Sequence, residues 1–164
     1  MTSVDRSLIS FDQLGVGVHG CDPIAVANAY AKAGVAGDTL RVAVAQILFD
    51  AVVGNRDRLT NNSNWAVFMD NVTGVRRLSW SYDFNWSNLL TKDIDLMKQV
   101  KECVKRNHLE TLSCNFLKPI INVCSKLDID IWKENAQDLL VHFDVSPTPS
   151  LMRCDDDFEY TSQF

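Results

Sequence analysis

TLRVAVAQILFDAVVG (residues 39–54) runs without a break into NRDRLTNNSN (residues 55–64). The first stretch places Leu40, Val44, Ile47, Leu48, Ala51 and Val52 at helical spacing, with Asp38 where the helix should begin and Gly54 where it should end. Its apolar face is wide, which predicts a central, buried helix. The second stretch has one apolar residue, Leu59, and crowds charges and amides between that helix and the apolar WAVFMD that follows. Such a loop is held at both ends.

Before this stretch, residues up to Leu14 mix polar groups with Leu8, Ile9, Phe11 and Leu14, predicting a strand or extended arm, and GVGVHGCDP then reads as a loop. Asp22 and Pro23 look like an N-cap and a first-turn proline for a short alanine-rich helix closing at Gly34. WAVFMD and VRRLSW, separated by the turn-forming NVTG, predict an antiparallel hairpin near residues 65–80, and SYDFNWSNLL follows as a loop. Helical periodicity returns over roughly 92–106, 115–126 and 129–143. The expected fold is mainly α with a small antiparallel β-hairpin over residues 1–143. Residues 144–164, with two prolines and an acidic run at Asp155, Asp156 and Asp157, are expected to be a loosely attached tail.

Length and composition narrow the function classes. At 164 residues the chain has the size of one domain, and 46% hydrophobic with 23% charged residues argues against disorder or coiled coil. Sixteen Lys and Arg against 21 Asp and Glu give a net charge of -5, which argues against a bare phosphate backbone, and so against nucleic acid, as the main partner. The first residues lack the basic start and apolar stretch of a secretory signal, and no run approaches the roughly 20 apolar residues that span a bilayer. Five cysteines, an odd number without a CxxC pair, fit a reducing compartment. A soluble, cytoplasmic protein without membrane contact is expected, with the N-x-S/T sequons at Asn61, Asn71 and Asn85 accidental. His19, His108 and His142 share no ligand spacing with the cysteines, which argues against zinc. Cys103, Cys114 and Cys124 read as small buried hydrophobes, and Trp65, Trp80 and Trp86 as packing between the hairpin and the helices.

The polar loop has a chemical logic. A carboxylate just past a helix end, an amide a few residues later and a second carboxylate across a hairpin can converge on one Mg²⁺, whose hard oxygen ligands bridge nucleotide phosphates. One acid can then orient or deprotonate a hydroxyl nucleophile while the other groups hold metal. Asp57, Asn62 or Asn64, and Asp83 are the candidates.

At these residues the sequence resembles the HipA-like serine/threonine kinases. Their catalytic segment reads approximately F-D-x-L-I-G-N-x-D-R-H-x-x-N-aromatic-small, and their metal segment reads Y-D followed by a short polar stretch. Phe49, Asp50, Gly54, Asn55, Asp57 and Arg58 match in order and spacing, and Tyr82-Asp83 falls at the metal segment. The resemblance covers roughly residues 40–90. It implies a kinase-like C-terminal lobe using ATP and Mg²⁺, with Asp57 as catalytic base, Asp83 as principal metal ligand and Asn55 and Arg58 in the cofactor-binding set. The metal-binding Asn is Asn62, which keeps the family's five-residue step from Asp57, or Asn64, which keeps the Asn-aromatic-small context at the expense of two inserted residues.

Two departures shape the expected activity. Leu59 stands where the family has His, and the 56 residues before Asp57 show no Gly-rich phosphate loop followed by a strand Lys. Two readings are therefore carried. One is a lobe for Ser/Thr phosphoryl transfer that needs a separate nucleotide-binding lobe. The other is a non-catalytic pseudokinase or kinase mimic that regulates a related kinase or toxin, as in a toxin–antitoxin pair. The ordinary alternatives are that Asp57 and Arg58 form a surface ion pair at a helix end and that Asn55 ends the helix in a left-handed conformation.

Overall fold

The computed structural model describes residues 5–18, 20–79 and 90–144. Its elements are β1 (Arg6–Ser10), α1 (Pro23–Lys32), α2 (Thr39–Val53), β2 (Ala66–Asp70), β3 (Arg76–Leu78), α3 (Ile94–Arg106), α4 (Glu110–Lys126) and α5 (Asp130–Phe143), with two short 3-10 turns, Asp57–Leu59 and Asn62–Asn64, between α2 and β2. The described residues are mainly helical, as the periodicity predicts.

Helix α2 is the axis of the fold. It packs against α1, α3, α4 and α5, and Ala43, Val44, Ile47, Leu48, Ala51, Val52 and Val53 are all buried. Its ends form as expected. The Asp38 carboxylate accepts from Arg41 N–H, and Gly54 sits at φ 70°, the left-handed conformation that suits glycine. Helix α1 likewise starts on Asp22, which accepts from Ile24 N–H, with Pro23 in its first turn.

The predicted hairpin pairs Val67 with Leu78 and Met69 with Arg76. It is part of a larger sheet, however, because β1 pairs antiparallel along the other edge of β2, from Arg6 opposite Asp70 to Ser10 opposite Ala66, in the order β1-β2-β3. A lone two-stranded hairpin is marginal in water, and the third strand supplies the missing partner. That pairing continues into the core, where Phe11 N–H donates to the Trp65 carbonyl at 2.8 Å. Phe11, Tyr30 and Trp65 then form one aromatic cluster, with ring centroids 5.1 Å apart for Phe11 and Tyr30 and 6.3 Å for each with Trp65.

Helix α4 begins at Glu110, five residues before the expected 115, because the 109–115 segment continues straight from Leu109, whose carbonyl accepts from Ser113 N–H at 2.9 Å. Hydroxyl and sulfur side chains at Thr111, Ser113 and Cys114 dilute the apolar period there, and Pro119 inside the helix breaks it again. Trp65 is buried as expected, whereas Trp80 and Trp86 lie outside the described residues, as does the 145–164 part of the expected tail. Of the cysteines read as buried, Cys124 is buried and Cys103 and Cys114 are half-buried. No helix among the described residues is long and apolar enough to cross a membrane.

Candidate functional site

The loop between α2 and β2 is built around a charge inside the protein. Asp50, on the last turn of α2, is 1% exposed among the buried apolar side chains of Ile47, Leu48, Ala51 and Val53. A buried carboxylate must be matched by donors, and here both oxygens are. Arg58 Nε donates to Asp50 Oδ2 at 2.7 Å, and Asn55 Nδ2 donates to Asp50 Oδ1 at 3.2 Å. Burial nevertheless pushes the Asp50 carboxyl up to about 6, since the loss of water outweighs the opposing charge of Arg58 and the hydrogen bonds of Arg58 and Asn55.

Arg58 carries this anchor outward. Its Nη1 donates to the Asn64 carbonyl at 3.0 Å, and its guanidinium carbon lies 5.4 Å from the centre of the Trp65 ring. The Trp65 indole N–H donates back to the Arg58 carbonyl at 2.8 Å. The two ends of the polar loop are thus tied to one another and to α2, and the intervening backbone is left with little freedom. The second turn is pinned separately, by Val18 N–H donating to Asn62 Oδ1 at 2.9 Å.

Asp57 opens the first turn on the outer side of this frame and is half-buried. Asn64 Nδ2 donates to its Oδ2 at 2.5 Å, which fixes the direction of the carboxylate. The partner of Arg58 is therefore Asp50 in the interior, and the surface ion pair between Asp57 and Arg58 is not what forms. Asn55 is not the left-handed helix terminator either: Gly54 takes that conformation, and the Asn55 amide braces Asp50.

Of the sequence-predicted residues, Asp57 and Asn64 are brought into direct contact, and Asn62 sits on the adjoining turn with its amide oxygen engaged by Val18. Asn55 and Arg58, at 0% and 1% exposure, both donate to Asp50 and so brace the loop from inside. Asp83 lies outside the described residues. Among the described residues no three His, Cys, Asp or Glu side chains come together as a metal site. Asp57 and the Asn64 amide oxygen are nevertheless hard donors of the kind Mg²⁺ takes, and because the Asn64 nitrogen faces Asp57, its oxygen projects away from that carboxylate.

The motif includes Asp50 but implies no role for it. The available signal is an acid set between the apolar triplets ILF and AVV, which calls for a donor or cation in the interior, with Arg58 following within one loop. Leu59, where the HipA-like pattern has His, is 6% exposed, and its carbonyl accepts from Gly20 N–H at 3.1 Å. Compared with family models, curated proteins and solved structures, the chain matches none.

Proposed function

We propose that this chain is a HipA-like kinase lobe that presents Asp57 as the base for phosphoryl transfer from ATP to a Ser or Thr hydroxyl. The observation that supports it is the half-buried Asp57 carboxylate, aimed by Asn64 and standing on a turn whose backbone is locked by the interior Asp50–Arg58 pair. A base must hold a fixed direction toward the hydroxyl whose proton it takes, and a loop braced from inside does so without reorganisation. Asn64 and Asp83 would hold Mg²⁺. ATP supplies the transferred phosphoryl group, and the metal neutralises its charge. The residues before Asp57 carry no Gly-rich loop with a strand Lys, so a nucleotide-clamping lobe would come from a separate polypeptide or from a longer parent chain. A cytoplasmic setting and a protein substrate accord with this reading.

A second reading, a non-catalytic pseudokinase that regulates a related kinase or toxin, draws on one specific observation. Leu59 is packed into the interior where the family has a His.

Titration with ATP and Mg²⁺ under a thermal ramp separates the two. A ligand at 100 times its Kd stabilises the fold by about 2.7 kcal/mol. The kinase reading expects such a shift, its loss in Asn64→Ala, and phosphoryl transfer that falls by about 10²- to 10⁴-fold in Asp57→Asn while the shift persists. An unshifted protein that also transfers no phosphate with added nucleotide lobe is the non-catalytic module.

A further inference from the structure

Away from the kinase-like loop, two cysteines far apart in sequence meet. Cys21 stands immediately before the Asp22 cap of α1, and Cys103 lies in the last half of α3, 82 positions away, yet their sulfurs are 3.7 Å apart. Both are free thiols at van der Waals contact. Their surroundings differ. Cys21 is 3% exposed, and burial, together with the nearby Cys103, pushes its thiol up to about 12. Cys103 is half-buried, and Arg106, one turn on, directs Nη2 to within 3.4 Å of its sulfur.

The juxtaposition is held by more than the sulfurs. Arg106 Nη2 also lies 3.4 Å from Asp22 Oδ2, and Asn107 Nδ2 bridges Asp22 Oδ1 at 3.0 Å and the Cys103 carbonyl at 2.9 Å. The cap of α1 and the end of α3 are therefore clamped beside the two thiols. On the other side, Gly20 N–H donates to the Leu59 carbonyl, so the backbone one residue before Cys21 is attached to the Asp57–Leu59 turn.

We propose that Cys21 and Cys103 are a dithiol that hydroperoxides oxidise to an intramolecular disulfide, fastening the segment before α1, and through Gly20 the Asp57–Leu59 turn, to α3. Cys103 is the attacking sulfur, because it is the more accessible of the two and has a cation beside it. As its thiolate bonds to one peroxide oxygen, the O–O bond breaks, and the departing oxygen takes a proton and leaves as an alcohol, or as water from hydrogen peroxide. Cys103 is then a sulfenic acid. The Cys21 sulfur attacks the Cys103 sulfur, the S–O bond breaks, and the hydroxide leaves with the Cys21 proton as water. Two thiols and one peroxide thus yield one disulfide, one alcohol and one water, with two electrons passing from sulfur to the peroxide. The burial of Cys21 fits it to the second step, where its partner is already in contact and no external reagent has to reach it. Reduction by a small dithiol reverses the change.

The test is to treat the folded, reduced chain with one equivalent of hydrogen peroxide and map the thiols by mass spectrometry. The expected product has lost two hydrogens and joins the Cys21 and Cys103 peptides, in about tenfold excess over any other cysteine pairing, and the preference disappears in denaturant. In Cys21→Ser a sulfenic acid accumulates at Cys103 and is trapped by dimedone, and in Cys103→Ser neither product forms. Cys21→Ala serves as the second variant should the buried serine unfold the protein. Oxidation that falls first on Cys114, Cys124 or Cys154, a disulfide between two chains as the main product, or a Cys103→Ser protein that consumes peroxide at the original rate would each overturn the proposal. The mapping on the unmutated chain stands regardless of how the variants fold.

Discussion

The polar loop between α2 and β2 has two faces that follow opposite rules. On the inner face Asp50, Asn55, Arg58 and Trp65 are all at most 1% exposed, and the donors and acceptors of the ion pair are matched within the protein. On the outer face Asp57, Asn61 and Asn62 are partly open to solvent, and Arg56 reaches across the surface to Asp93 at the start of α3. The contrast shows how a fold can present a charged side chain rigidly. The inner face provides the rigidity, since a buried ion pair has few geometries that satisfy it. The outer face keeps its carboxylate available. Substitutions on the inner face should therefore act on stability and those on the outer face on chemistry.

The largest effect should come from Arg58→Met, which leaves the Asp50 carboxylate buried without its cation. At pH 7.5 this is expected to lower unfolding stability by about 3–5 kcal/mol, read from the urea midpoint. The loss should shrink at pH 5. The folded-state value of Asp50 is already raised to about 6 from 3.8, so the proton-bound form is the one the interior favours. Its contribution to stability is fully present below about pH 4 and is lost as the pH rises through about 6, and removing Arg58 deepens that dependence. A small, pH-independent change would break the comparison, because it would mean that the interior pair is not what braces the loop.

Next in size is Asn64→Ala, which removes the donor that aims Asp57 and leaves the acid free to turn. A stability loss of about 1–2 kcal/mol is expected, with the larger consequence in any response to ATP and Mg²⁺. Asp93→Ala should follow at about 1 kcal/mol, since Asp93 caps α3 through Leu96 N–H and pairs with Arg56. Hydrogen bonding and charge from Arg56 hold the Asp93 carboxyl below its usual range. This contribution is therefore present at neutral pH and fades as the pH falls below about 4, the reverse of Asp50. Comparing acid-side denaturation curves of the chain with and without Asp93 checks the sign.

The smallest change in stability is expected at the residues proposed for catalysis and metal binding. Asp57→Asn should shift the unfolding midpoint by no more than about 0.5 kcal/mol, because an amide can still accept from Asn64. If Asp83 shares a metal with Asp57, as the proposed function has it, Asp83→Asn should raise stability slightly in the absence of metal, by removing one of two like charges, and abolish the thermal response to ATP and Mg²⁺. If Asp83→Asn instead destabilises and the response persists, Asp83 is structural and the metal assignment fails.

Local chemistry made much of the architecture legible. The apolar run of residues 39–53, the Gly54 stop, the Asp22-Pro23 start and the alternation of WAVFMD are each interpretable without distant contacts, because caps, left-handed glycines and period-2 or helical spacing act over a few residues. The start of α4 was not legible, because Thr111, Ser113 and Cys114 blur the periodicity that tertiary packing on α5 restores. At the site, the positions of Asp57 and the two asparagines could be read from spacing, but which asparagine faces the acid could not.

Local sequence supplies the menu: a buried helix delivering a polar loop, a hairpin beyond it, and acids and amides crowded between them. Tertiary structure alone decided the pairings. Ser10 lies opposite Ala66, Arg58 turns inward to Asp50 where a surface partner was expected, Asn62 is taken by Val18 while Asn64 holds Asp57, and Cys21 meets Cys103 across 82 positions. The physical reason is that a local motif fixes backbone conformation through contacts within a turn or two. The partner of a buried charge or thiol depends on which distant segments share the same enclosed volume, and that is settled only when the core closes.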